Sequence, residues 1–149
     1  MSIETLTPIH ELTAAQTDQL HRMYQKEWWT RGRTREEIDT MLSFSDVVFG
    51  FCEPDTDRLA AFARVLTDRV YKAFIFDVIV DASHRNQGVG RTLMEAICEH
   101  PALAEVRHVE LYCLPELIPF YQQWGFSDDP GRIRLMRRER VVREPGQAP

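Results

Sequence analysis

The chain has 149 residues, 44% of them hydrophobic and 28% charged, an ordinary globular composition that can bury roughly 68–70% of the surface exposed on unfolding without crosslinks. Its formal net charge of −5 argues against nonspecific nucleic-acid binding driven by counterion release, and no apolar run approaches the roughly 20 residues of a membrane span. The opening MSIETLTPIHEL lacks a secretory signal's basic start and apolar centre, and Cys52, Cys98 and Cys113 form no C-x-x-C pair, so a cytoplasmic protein with buried free thiols is expected.

Ile3 to Ile9 reads as a first strand. Thr13 and Gln16 form a capping box that opens a helix running toward Trp29, and Thr34 with Glu37 opens a shorter helix with Ile38, Met41 and Leu42 on one face. From Asp46 the period changes to that of a hairpin, VVFGFCE and LAAFARVLTD, joined at the turn cluster of residues 54–57. AFIFDVIVD, residues 73–81, is too apolar for a face in water and predicts a central strand. RTLMEAICEH predicts a helix with Leu93, Met94, Ile97 and Cys98 inward, and VRHVELYC a further strand. PELIPFYQQW predicts a last helix with Pro115 in its first turn, where Pro119 sits awkwardly unless the helix starts late, and Gly125 closes it; the alternating RIRLM predicts a last strand. The arginine-rich carboxyl end reads as a solvated face and tail. Residues 1–140 are expected to form a single domain, with 141–149 a frayed tail, and the element order predicts an α/β (α+β) fold with a mixed sheet covered by helices.

Between the central strand and the third helix lies RNQGVGRT, residues 85–92, with two of the chain's seven glycines at the helix mouth. The first amides of a helix lack intrahelical partners, and the aligned peptide dipoles place roughly half a positive charge there, so the mouth suits an anion that glycine allows to come close. A Walker loop is excluded because no lysine follows the glycines; a dinucleotide fingerprint is excluded because Leu93 stands at its third glycine position and this is not the first βα unit. His10, His21, His84, His100 and His108 show no ligand spacing, so no metal is expected.

The segment V-I-V-D-A-S-H-R-N-Q-G-V-G-R-T-L, starting at Val78, resembles the acetyl-CoA loop of the GNAT superfamily of N-acetyltransferases, R/Q-x-x-G-x-G/A after a strand ending in V-x-V. Downstream, F-Y-Q-Q-W-G-F from Phe120 to Phe126 is similar to that family's F-Y-x-x-x-G-F. The resemblance spans roughly residues 1–138. It implies a GNAT fold with a sheet of about six to seven strands, about four helices and two splayed central strands. It also implies that acetyl-CoA is the cosubstrate, its pantetheine arm running along the backbone of Val78, Ile79 and Val80. The pyrophosphate would sit on the amides of Gln87, Gly88, Val89, Gly90, Arg91 and Thr92, with Arg85 opening the motif and Asn86 counted in the same cofactor-binding loop.

Tyr121 matches the position whose phenol protonates the departing thiolate, and a phenol with an ordinary pKa near 10 is protonated at neutral pH. The position aligned with the strand carboxylate of some branches of the family is Phe74, which cannot accept a proton. Asp77, Glu110 and His84 are substitutes by residue type, and Asp77 stands out because a carboxylate in so apolar a strand needs a partner or a purpose; an ion pair with an arginine such as Arg64 is its structural alternative. His84 reads as a surface loop residue. Trp28, Trp29, Arg31 and Arg33 are the acceptor-site candidates, set between the first two helices, with core packing the alternative for one tryptophan. The expected activity is acetyl transfer to a primary amine of a small molecule; a protein or peptide amine, or a noncatalytic acyl-CoA sensor, are the alternatives, and a homodimer is compatible with the resembled family.

Overall fold

Both threonine-led capping boxes form. Thr13 Oγ1 accepts from the Gln16 amide at 3.1 Å while Gln16 Oε1 accepts from the Thr13 amide at 3.0 Å, opening α1 (Ala14–Gln25). Thr34 and Glu37 do the same for α2 (Arg35–Ser43). α1 stops short of Trp29 because the Thr30 hydroxyl, 2.8 Å away, donates to the Tyr24 carbonyl at its end, and Gly32 turns the chain back with φ +96°. The structure, a computed structural model, describes residues 6–140; the start of the expected first strand and the tail fall outside that range.

Five strands make one sheet in chain order: β1 (Thr7–Ile9), β2 (Val47–Cys52), β3 (Leu59–Thr67), β4 (Lys72–Val80) and β5 (His108–Leu111). The first three junctions are antiparallel and β4–β5 is parallel. The intervening α3 (Val89–Glu99) supplies the crossover, and α4 (Ile118–Gln122) follows β5 after a 3₁₀ turn at Pro115–Leu117, the late start that Pro119 requires. No helix of the described residues is long and apolar enough to cross a membrane.

The sheet separates two cores. α3 lays Val89, Leu93, Met94 and Ile97 on Phe49, Val65, Ala73 and Ile75, and α4 adds Tyr121. On the other face Leu20, Met23, Tyr24 and Ile38 of α1 and α2 meet Leu59, Phe62 and Ile79. At about 1.5–3 kcal/mol per fully buried side chain, these layers fix the sheet between the helices. Strand β4 changes phase partway along: Ala73 and Ile75 face α3, yet Ile79 faces α1 and α2. The cause is a bulge. Arg64 pairs with Phe76 and Phe62 with Ile79, so Asp77 and Val78 together oppose Ala63, and Asp77 takes φ +59°.

Three expectations are corrected. Residues 132–136 form no strand: Ile133, Leu135 and Met136 are exposed, and the Arg134 guanidinium takes the Gly131 and Ile133 carbonyls at 2.8 and 2.7 Å, competing with any ladder. Among the described residues the sheet therefore has five strands rather than six or seven. Cys98 and Cys113 are exposed, and only Cys52 is a buried thiol.

Candidate active site

The parallel pairing of β4 with β5 runs from Lys72 opposite His108 to Ile75 opposite Leu111 and ends there, while β4 stays paired to β3 as far as Val80. The edge of β4 from Phe76 to Val80 is thus open on the β5 side, which is the splay the resemblance implies and which holds Val78, Ile79 and Val80. Beyond it the chain makes a 3₁₀ turn at Ala82–His84, takes φ +62° at Asn86 and enters α3 through Gly88 at φ +78°.

Among the described residues the amides of Asn86, Gln87, Gly88, Val89, Gly90 and Arg91 have no intrachain acceptor, whereas that of Thr92 donates to the Gly88 carbonyl at 3.1 Å. The two glycines have different reasons to be there. Gly88 needs its left-handed backbone. Gly90 does not: a Cβ built on it would stand 3.6 Å from Phe120 Cζ and 3.9 Å from Val80 Cγ2, ordinary contacts. What glycine provides at position 90 is clearance at the point where α3, α4 and the end of β4 converge. Arg85 spans this mouth, its Nε donating to the Val80 carbonyl at 3.3 Å and its Nη2 paired with Glu27. Arg91 pairs with Glu95 and Gln123.

Tyr121 is buried on α4, edge-on to Phe120 at 5.0 Å and to Phe126 at 6.2 Å. Burial, helped by the nearby Cys113, pushes its hydroxyl up to about 12, so it is a phenol, not a phenolate, at any physiological pH. Among the described residues the hydroxyl has no protein partner and no fully buried side-chain polar atom lacks one, so the hydroxyl opens outward. It borders a groove of about 870 Å³ that wraps the free edge of β5 and is also lined by Phe74, Glu110, Tyr112 and Cys113.

Asp77 lies at the bulge, its side chain only 5% exposed, and is tied on both oxygens. Arg33 forks onto it at 2.8 and 3.2 Å, Arg64 Nε donates at 2.8 Å, and the Tyr24 hydroxyl donates at 3.2 Å. Burial opposes the charge, but the two guanidiniums outweigh it and hold the carboxyl below the usual carboxylate range. Each guanidinium also stacks on a ring, Arg33 on Tyr24 at 4.9 Å and Arg64 on Phe76 at 4.7 Å. The Arg64 partnership was legible in the strand sequence; Arg33 and Tyr24 come from the first helical layer, and no local pattern announces them.

The remaining candidates divide. Trp28, Trp29 and Arg31 are exposed, so neither tryptophan packs in the core, while Arg33 is turned inward onto Asp77. His84 is buried rather than superficial: Nε2 is 3.3 Å from Glu53 and Nδ1 is 3.1 Å from Ser83 Oγ, locking the start of the loop to the end of β2. Sequence reasoning missed a row of rings on the sheet face turned toward α1 and α2, Phe76 on Phe74 at 4.9 Å and Phe74 on Tyr112 at 4.7 Å. The alternation of Phe74 and Phe76 is the signal that could have found it.

Residues 10–126 match the acetyltransferase (GNAT) family. The chain is 33% identical over 119 residues to the chloroplastic GCN5-related N-acetyltransferase 1 of Arabidopsis thaliana, covering 80% of this chain and 60% of that one. It is 34% identical over 106 residues to the chloroplastic serotonin N-acetyltransferase 2 of Oryza sativa subsp. japonica, covering 70% and 53%. It therefore spans less than two thirds of the length of these relatives. Among solved structures, a GNAT-family protein of Xanthomonas campestris pv. campestris superposes with a TM-score of 0.79 at 26% identity, covering 90% of this chain and 92% of that one. An acetyltransferase-like protein of Deinococcus radiodurans superposes with a TM-score of 0.74 at 25% identity, covering 93% and 92%.

Proposed function

The chain belongs to the acetyltransferase (GNAT) family, and from that premise we propose that it moves acetyl from acetyl-CoA directly to the primary amine of a small molecule. The observation that carries this reading is the conjunction of six unpaired amides, Asn86 to Arg91, with an open strand edge at Val78–Val80 and the clearance left by Gly90 between them. In this reading the amides hold the diphosphate, strengthened by the α3 dipole, and the pantetheine amides pair along the edge of β4. The thioester then reaches the mouth of the splay. Tyr121 donates its proton to the thiolate as the C–S bond breaks; its raised pKa keeps that proton available.

Asp77 acts here by position rather than as a base. Two guanidiniums occupy its oxygens, so its part is to tie the bulge of β4 to the connection that carries Trp28 and Trp29. Those exposed rings and Arg31 form one wall for the acceptor. The rice relative's name, a serotonin N-acetyltransferase, supports a small amine, whereas a soybean relative, 32% identical over 79 residues, is named a histone acetyltransferase. Thiol release with acetyl-CoA and a panel of aryl, alkyl and polyamines, amino acids and lysine peptides tests the reading. Turnover of a small amine supports it; turnover of peptides alone moves the acceptor to protein, and tight CoA binding with no turnover makes the chain a sensor.

A further inference from the structure

An acceptor amine arrives as an ammonium. With a pKa near 10.4, about one alkylamine molecule in 2,500 is neutral at pH 7, so a proton must be taken before nitrogen can attack. The carboxylates around the splay are almost all committed elsewhere. Asp77 is held by Arg33 and Arg64, Asp81 by Ser83, Glu53 by His84, Glu27 by Arg85 and Glu95 by Arg91. Glu110 differs in the chemistry of its partner: it is paired with Lys72, a primary alkylammonium, the same group that the acceptor carries.

Its placement fits. Glu110 stands directly opposite Phe74 in the parallel register, one residue before the pairing ends at Leu111, so it lies on the lip of the splay. Phe74 is the position at which some branches of the resembled family carry a strand carboxylate; the acid here is one strand over. Glu110 shares its face with Phe74 and Phe76, and the Phe74 ring touches Tyr112, giving an apolar platform beside a carboxylate. Glu110 and Tyr121 both line the groove that wraps the free edge of β5, Glu110 from the Phe74 face of the sheet and Tyr121 from the α3 face, so that the splay between β4 and β5 lies between them. The Lys72 pair is half exposed, 51% and 38%, and such a pair is worth at most about a fivefold preference, so an incoming ammonium seated on the rings can displace it.

We propose that Glu110 is the carboxylate that receives the acceptor's ammonium and takes its proton, and that Lys72 occupies this position as an internal stand-in until the acceptor displaces it. The proposal rests on the acetyltransferase reading above. The first ammonium proton passes to Glu110 and on to solvent. The neutral nitrogen adds to the thioester carbonyl, the C–N bond forms and the C–S bond breaks. Tyr121 protonates the thiolate, and the second proton lost by the nitrogen restores Tyr121 through solvent. One proton is released overall.

The test uses Glu110→Gln and Lys72→Met in the full chain, with phenethylamine as the probe amine. The charged and titratable groups around Glu110 are Lys72 on β4, Arg107, His108 and Tyr112 on or beside β5, and Asp128, Asp129 and Arg134 on the segment forming the outer wall, with Arg137 over the Tyr112 ring. Glu110→Gln is expected to lower kcat/KM for the amine at least 30-fold at pH 7, to recover progressively toward pH 10 as the amine loses its proton unaided, and to leave acetyl-CoA affinity unchanged. Lys72→Met is expected to lower the amine KM severalfold, an effect that vanishes when Glu110 is already Gln. A loss below twofold, or one equal at all pH values, overturns the proposal. Calorimetric binding of phenethylamine decides the matter even without turnover. If there is no turnover, weaker binding to the Glu110→Gln protein than to the unaltered one keeps the ammonium site while removing the acetyltransferase reading; equal binding to both, or no binding to either, removes the site.

Discussion

Replacing Gly90 by alanine separates a binding role from a folding role. The added Cβ meets only Phe120 Cζ at 3.6 Å and Val80 Cγ2 at 3.9 Å, and Gly90 has no positive φ to forbid a side chain. Alanine is the better helix former by up to about 1 kcal/mol, so the variant should be as stable as the parent or slightly more so. In the proposed complex, however, the methyl group stands between the diphosphate and the amides. Loss of one or two hydrogen bonds to a charged acceptor, about 1.5–3 kcal/mol each, weakens acetyl-CoA binding by about tenfold to about 10⁴-fold. Isothermal titration with acetyl-CoA, paired with thermal unfolding of the free protein, reads both quantities. Gly88→Ala is the contrasting control: at φ +78° an alanine costs roughly 1–2 kcal/mol, so that protein should melt earlier. Unchanged affinity in a fully folded Gly90→Ala protein refutes the reasoning, and a fall in Tm parallel to the fall in affinity shows that the glycine serves the fold instead.

Other outcomes follow from the same geometry. Tyr121→Phe should lower kcat by about 10²–10³ with acetyl-CoA affinity intact, and the parent's kcat should show no falling limb due to this group below about pH 11, since its hydroxyl is pushed up to about 12; steady-state kinetics from pH 6 to 10.5 checks both. Asp77→Asn leaves two guanidiniums around a neutral amide and should cost about 3 kcal/mol in urea denaturation at pH 7. Because the folded pKa of Asp77 is depressed, its stabilisation is present above the unfolded value of about 3.9 and is lost as pH falls below that toward the folded value. The gap between parent and variant should therefore narrow progressively as pH falls below about 3.9, and a constant gap would contradict the ion-pair account. Thr34→Ala removes the α2 cap and should cost about 1 kcal/mol, visible as a lower Tm.

What the sequence displayed and what it withheld divide along physical lines. Both capping boxes, the apolar β4 and the glycine-rich entry to α3 depend on neighbours a few residues apart, and each is where local chemistry puts it. The helix expected to reach Trp29 ends early because Thr30 folds back on Tyr24, a choice between two local bonds that periodicity does not weigh. RIRLM alternates, but alternation says which face a side chain takes, not whether a neighbouring edge will supply hydrogen bonds. Asp77 advertised its need for a partner and Arg64 was in view, yet Arg33 arrives from 44 positions away and only the packed α1–α2 layer brings it in. His84 looked like a loop residue until the end of β2 placed Glu53 against it.

Comparing acetyl-CoA with S-acetylpantetheine, which lacks the nucleotide diphosphate, isolates the backbone cradle at the mouth of α3. By isothermal titration the protein should bind acetyl-CoA one to one and S-acetylpantetheine at least tenfold more weakly. Equal affinity for the two thioesters, or no heat of binding with either, would contradict a diphosphate held by the amides of Asn86 to Arg91.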